Sequence, residues 1–235
     1  MEHDQSRVRR MTPAIDLVRA ARGVLLDFDG PICSVFAGWP ASAVAARLRG
    51  DIAAQGIDVH PVGSETDPLA ILLWIGENYP ELVEFVDTRL CVAEESAVRT
   101  AKPTDYSDEI IRHSARTGRS VAIVSNNSAV AIRSYLELRD LLRHVEIISG
   151  REFARPELMK PNPHSLIVAA DALRVTLQDC LLIGDSVTDV LAAKSVSVRS
   201  IGYANRTDKF AKLAEAGADA VVSTLEPLAR AVAVD

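Results

Sequence analysis

Five short apolar runs, each halted by an acid, a hydroxyl or a glycine, recur along this chain with helix-like patterns between them. That alternation constrains the fold more than any other feature. The first run, Gly23-Val-Leu-Leu-Asp-Phe, is closed by the breaker cluster Asp29-Gly30-Pro31 and predicts a buried strand ending in a turn. Four similar runs follow at Ser120–Ser125, Val145–Ser149, Cys180–Gly184 and Val198–Gly202, with a shorter one at Ala220–Ser223. Helical spacing fills the gaps: Asn127–Leu138 repeats Val130, Tyr135 and Leu138 on one face, and Pro163–Leu173 and Val187–Ala193 behave alike. Buried strands alternating with helices imply crossover connections and a parallel sheet covered on both faces.

The stretch 33–104 breaks this rhythm, because it holds helical patterns and no convincing strand. Val44, Leu48 and Ile52 recur at four-residue spacing. Asp67 before Pro68 is a good N-cap and first-turn pair ahead of Leu69, Leu72 and Leu73. Leu82, Val86, Leu90, Ala93 and Ala97 then form a long apolar stripe. The Ala101–Thr104 turn would return the chain to the core, with Thr104 or Asp105 capping a helix that stops near Gly118. The expected class is therefore α/β: a Rossmann-like parallel-sheet core from residues 1–32 and 105–235, with an α-helical cap inserted at 33–104.

A formal charge of −6 argues against a nucleic-acid or anionic-membrane surface, since such binding draws on clustered Lys and Arg. A pocket for a small anion needs only local positive potential. No apolar run reaches the ~20 residues of a membrane span. The stretch from Met1 to Arg22 has Glu2, Asp4 and Asp16 among its basic residues and does not read as a secretory signal. Cys33, Cys91 and Cys180 are odd in number and widely spaced, which disfavours a disulfide framework or a thiolate zinc site. A cytoplasmic monomer or homodimer is expected.

Four short motifs carry the candidate chemistry. Asp27 and Asp29 lie two positions apart on extended backbone at a strand end, so both carboxylates can enter one site, and Gly30 lets the backbone turn close to a phosphate. One carboxylate can attack phosphorus while the other shuttles a proton. An ordinary Asp-Gly turn is the competing reading. Ser125 ends a second strand ahead of Asn126-Asn127-Ser128, where a hydroxyl and free N–H groups can hold phosphoryl oxygens, or merely cap a helix. Lys160 sits before Pro161-Asn162-Pro163, in a loop that either aims an ammonium at a site or leaves it in solvent. Asp185 ends a third strand and Asp189 follows four residues later on the same helix face. With the first pair they make an oxygen-rich site suited to Mg²⁺. A helix cap and an exposed helical acid are the alternatives for these two.

Taken together, Asp27-x-Asp29-Gly30, then Ser125, Lys160 and Gly184-Asp185-x-x-x-Asp189, each at a strand end or turn, resemble the haloacid dehalogenase superfamily from about Gly23 to Ser223. The helical insert resembles the cap of the branch containing phosphoglycolate phosphatases and β-phosphoglucomutases. The resemblance implies a Mg²⁺-dependent phosphatase acting on a small phosphorylated metabolite, with Asp27 as nucleophile and Asp29 as general acid/base. It implies a cation held by the carboxylates of Asp27 and Asp185 and the carbonyl of Asp29, with Asp189 as ligand or nearby acceptor. Ser125 and Lys160 would bind the phosphoryl oxygens, assisted by the backbone of Gly30 or Asn126.

Three other readings compete. A phosphomutase would use the same motifs and pass the phosphoryl group to a sugar phosphate. A dehalogenase would need neither Asp29 nor the Asp185/Asp189 pair. A binding or regulatory module could keep the fold without catalysis. Pro31 after the first motif and the segment Cys33–Pro40 depart from the familiar pattern, which leaves the substrate open. Trp39, Arg47, His60 and Arg89 are the cap's candidate specificity residues.

Overall fold

The structure, a computed structural model, describes residues 13–233. The reading of the chain's first residues as lacking a secretory signal therefore lies mostly outside the described part. A helix through 13–20 (α1) leads into β1, Gly23–Leu26, whose four residues are all buried. Five more strands complete the main sheet: β4 (Ser120–Ser128), β5 (Ile147–Arg151), β6 (Cys180–Gly184), β7 (Arg199–Tyr203) and β8 (Ala220–Val222). Two two-residue strands, β2 (Cys33–Ser34) and β3 (Lys102–Pro103), form a separate antiparallel pair.

The main sheet runs β5-β4-β1-β6-β7-β8 with every pairing parallel. Its strands thus fill outward to one side from β1, then return to β1 and fill the other side. Such a reversal leaves a crevice at the carboxyl ends of the central strands, where α/β proteins place ligands. Leu26 pairs with Ile123 on one side and Ile183 on the other, so Asp27, Ser125 and Asp185 all emerge at that crevice.

Side-chain alternation sorts the strands into two apolar layers. Val24 and Leu26, with Val121, Ile123, Leu181 and Ile183, face α1 and the helices α5 (Ser107–Arg116), α6 (Ala129–Leu138) and α10 (Glu226–Val232). Leu25, Ala122, Val124 and Leu182 face α7 (His164–Leu173) and α8 (Val187–Ser195). A last helix, α9 (Lys209–Ala216), packs near β7 and β8.

The insert comprises α2 (Ala41–Ala53), α3 (Pro68–Asn78) and α4 (Val83–Ala97) around an apolar cluster of its own. Val44, Leu48, Ile52, Val86, Leu90 and Ala93 are buried there as their spacing predicts. Asp67 caps α3 by accepting from the Leu69 N–H at 2.9 Å, with Pro68 in the first turn.

Several expectations need correction. Val130 and Leu138 are exposed; α6 buries Ala131, Ile132, Tyr135 and Leu136, because the stripe that meets the sheet is set by how the whole helix lies on it. Leu73 is likewise exposed, and α3 buries Ile71, Leu72 and Ile75 instead. Neither Thr104 nor Asp105 caps α5 through its side chain; Tyr106 occupies that position in left-handed backbone. The Thr104 hydroxyl donates to the Gly30 carbonyl at 2.6 Å. The two connections of the insert are not plain turns either, since they pair as β2 and β3 directly beneath the first motif.

Candidate active site

Beyond β1 the chain turns sharply. The N–H groups of Ile32 and Cys33 both bond the Phe28 carbonyl, and the Gly30 N–H bonds the Cys33 carbonyl at 2.7 Å. Gly30 has φ +111°, and a Cβ there would lie 2.3 Å from Cγ of Asp185. Only glycine permits that approach. The turn brings Asp29 over the sheet end, where its Oδ1 accepts from the Val35 N–H at 3.0 Å. Phe28 points the other way and packs edge-on against Tyr135 in the core.

Lys160 is not a solvated loop charge. Its side chain is 2% exposed, and its ammonium donates to Asp27 Oδ1 at 2.9 Å, to the Val124 carbonyl at 3.0 Å and to Asp189 Oδ1. Asn126 holds the Lys160 backbone on both sides, its Oδ1 accepting from the N–H at 2.8 Å and its Nδ2 donating to the carbonyl at 3.2 Å. The Ser125 hydroxyl is buried and accepts from the Asn127 N–H at 3.2 Å.

Asp189 is no exposed helical acid. Its Oδ2 accepts from the N–H and hydroxyl of Ser186, which completes a reciprocal capping box at the start of α8, and Oδ1 takes Lys160. Ser186, not Asp185, is therefore the N-cap, and Asp185 is left to face the crevice. Asp185 Oδ2 receives the amide of Asn205 at 3.1 Å and the ammonium of Lys209.

Carboxylate oxygens of Asp27, Asp185 and Asp189 lie within 4.8 Å of one another, all on buried residues. Burial, then the negative charges of Asp189 and Asp185, pushes Asp27 up to about 7 against the pull of Lys160. Burial likewise pushes Asp29 up to about 6, opposed by its bond from Val35. Burial raises Asp185 too, with Lys209 opposing. For Lys160, burial would lower the ammonium's affinity for its proton, but Asp189 and Asp27 outweigh it and hold the value above the ordinary one. A cluster with this excess of buried negative charge fits a hard divalent cation, whose preferred ligands are carboxylate and carbonyl oxygens.

These groups open onto a cleft of about 700 Å³ between sheet and insert. Asp27, Asp29, Ser125, Asn126, Lys160 and Asp185 line its floor, so the sequence-predicted residues converge there. Gly30 supports the floor from behind Asp185, and Asp189 supports it through Lys160. The roof comes from Phe36, Ala41, Thr66, Asp67, Leu69 and Ala70, with Arg206 at the side. The expected cap candidates lie elsewhere: Trp39, Arg47 and Arg89 line a different groove between α2 and α4, and His60 is exposed. A helix's spacing reveals its polar face but not which neighbour that face meets.

Sequence reasoning also missed Asn205, Lys209 and Ser186, and a buried cluster of Arg151 with Asp87 and Glu94. The last had a signal, since two acids seven residues apart flank the apolar stripe of α4.

Comparison with known proteins agrees with this geometry. A phosphoglycolate phosphatase of Salmonella typhi is 24% identical over 215 residues, covering 77% of this chain and 80% of that protein. A pyrophosphatase-type relative from Caldanaerobacter subterraneus is 27% identical over 103 residues, 44% of this chain. Among solved structures, a hydrolase from Pseudomonas syringae matches with TM-score 0.63 at 19% identity, covering 88% of this chain and 94% of that one. A haloacid dehalogenase family hydrolase from Deinococcus radiodurans, solved with bound phosphate and sodium, matches with TM-score 0.60 at 20% identity over 92% and 98% of the two chains. The family model for haloacid dehalogenase-like hydrolases matches residues 21–197, most of the chain, and the protein belongs to that family.

Proposed function

We propose that this chain is a Mg²⁺-dependent phosphatase that hydrolyses a small phosphomonoester through an aspartyl-phosphate on Asp27. The observation that carries the reading is the ion pair of Lys160 with Asp27, set at a strand end beside Ser125 and the Asp185 carboxylate. The names of the phosphoglycolate phosphatase relatives support it, as does the phosphate in the Deinococcus radiodurans relative.

A carboxylate approaches a phosphate dianion only where positive charge screens the repulsion. Lys160 supplies one such charge, held in place by Asp189 and the Val124 carbonyl. The carboxylates of Asp27 and Asp185 with the carbonyl of Asp29 would hold Mg²⁺, which when bound neutralises the acids and polarises the phosphoryl group. Asp27 Oδ attacks phosphorus and the ester oxygen departs. Asp29, raised to about 6, carries the proton that this oxygen takes up. Its carboxylate then withdraws a proton from the water that attacks the phosphoenzyme, regenerating Asp27. Ser125 and Lys160 hold the remaining phosphoryl oxygens, assisted by the backbone of Asn126.

The three free thiols support the cytoplasmic assignment, and no helix of the described residues is long and apolar enough to cross a membrane. A screen of phosphorylated metabolites with Mg²⁺, scored by released phosphate and by a hydroxylamine-labile label on the Asp27 peptide, tests the reading. Release without such a label, or label on another residue, refutes it. Transfer to a sugar phosphate in place of water would identify a phosphomutase.

A further inference from the structure

A second buried polar network lies outside the catalytic cluster, where β5 ends against α4. Arg151 closes β5 with its side chain 1% exposed. Its guanidinium donates through Nε to Asp87 Oδ1 at 2.9 Å, through Nη1 to Glu94 Oε1 at 2.8 Å and through Nη2 to Glu94 Oε2 at 3.1 Å. Nη1 also reaches the Asn126 carbonyl at 2.7 Å. Glu94 in turn accepts from the Asn127 amide at 3.1 Å and from the Ser128 N–H at 3.0 Å. Asp87 accepts from the Ala154 N–H at 2.8 Å. Both acids belong to the insert helix; Arg151, Asn126, Asn127 and Ser128 belong to the sheet.

We propose that Arg151, acting with Glu94, is a positioning residue for phosphoryl transfer: it orients the Ser125–Ser128 end of β4 and ties that orientation to the cap helix α4. The inference rests on the phosphatase reading above. The contacts fall on the carbonyl of residue 126, the side chain of 127 and the N–H of 128, the three residues directly after the Ser125 hydroxyl. The Asn126 side chain meanwhile fastens this strand end to the Lys160 backbone. The strand end is thus held between Lys160 and the cap, with its direction set by bonds that have fixed geometry. Adhesion alone would not call for this arrangement, because apolar side chains of similar volume hold two surfaces together as well as a buried ion pair does. A planar guanidinium with five donors fixes angles that an ammonium cannot. Misplacing a reacting or phosphate-binding group by about 1 Å costs on the order of 10²-fold in rate.

The test uses the full chain and three forms: wild type, Arg151→Lys, and a combination of Arg151→Met, Asp87→Asn and Glu94→Gln that leaves no unpaired buried charge. Turnover of a nitrophenyl phosphate with Mg²⁺ is measured together with inhibition by orthovanadate, which mimics the five-coordinate phosphorus, and with thermal melting. Both variants should lose roughly 10–100-fold in kcat with a smaller change in KM, and vanadate should weaken in step, at a temperature where each is fully folded. Arg151→Lys should retain more than the combination. Amide exchange at Asn127 and Ser128 should quicken in both. A folded combination variant with wild-type kcat and vanadate inhibition would overturn the proposal, as would losses that only follow the unfolded fraction. A wild type with no Mg²⁺-dependent turnover would instead remove the phosphatase reading, and this inference with it.

Discussion

The ammonium of Lys160 lies 2.9 Å from the carboxylate of Asp27, although 133 residues separate them in the chain. The pair is buried, and the same ammonium is shared with Asp189. The carboxylate proposed as nucleophile is thereby kept beside the charge that would let it meet an anion.

Asp27→Asn retains the shape and loses the oxygen proposed to attack phosphorus, so turnover and the hydroxylamine-labile phosphoenzyme should both vanish. Asp29→Asn keeps the nucleophile and removes the proton carrier, for a loss of about 10²–10⁴-fold with alkyl phosphates. The defect in the first step should shrink for nitrophenyl phosphate, whose leaving group needs little protonation, and labelled Asp27 should accumulate. Steady-state rates and peptide mass spectrometry decide both points; wild-type turnover by Asp27→Asn would remove the nucleophile assignment.

Excess EDTA should abolish activity and Mg²⁺ should restore it, since the three clustered carboxylates are otherwise undercompensated. Binding to the folded state alone raises the melting temperature. Mg²⁺ should therefore raise Tm in the wild type and much less in Asp185→Asn, a comparison that does not depend on turnover. Equal shifts in the two proteins would exclude Asp185 as a ligand.

Asp27, raised from 3.8 to about 7, binds a proton in the folded protein that the unfolded chain has already released. Between about pH 4 and pH 7 the folded state is the more protonated, so this contribution to stability is present at the acid end and is lost as pH rises. Replacing Asp27 with Asn removes it. In EDTA, the Tm of Asp27→Asn relative to the wild type should climb from pH 4 to pH 7, as read by calorimetry. A flat or falling difference would contradict the buried, repelled state of this carboxyl.

Gly30→Ala places a methyl 2.3 Å from Cγ of Asp185, in backbone with φ +111°. The strain is of order 1–3 kcal/mol, and Asp185 must move to relieve the contact. Thermal melting should show a lower Tm, and the Mg²⁺-induced rise in Tm should disappear. Retention of that rise would mean that Asp185 does not depend on the close approach.

Local rules made the strands and their terminal acids readable in the amino-acid sequence. An apolar run that stops at Asp27 or Asp185 determines a buried strand and a carboxylate at its end, because side-chain alternation and burial act over a few neighbouring residues. The Asp67 cap of α3 and the apolar stripe of the insert are local in the same sense. Choices that need a second element were decided only by the tertiary structure. The face that α6 presents, the cap residues that roof the cleft and the burial of Lys160 all depend on what packs opposite. Arg151 is the plainest case: in sequence it is an arginine after a glycine, and its partners Asp87 and Glu94 lie 64 and 57 residues away. Burying a charge is tolerable only when its counter-charges are brought to it, and chain folding over that distance is what brings them.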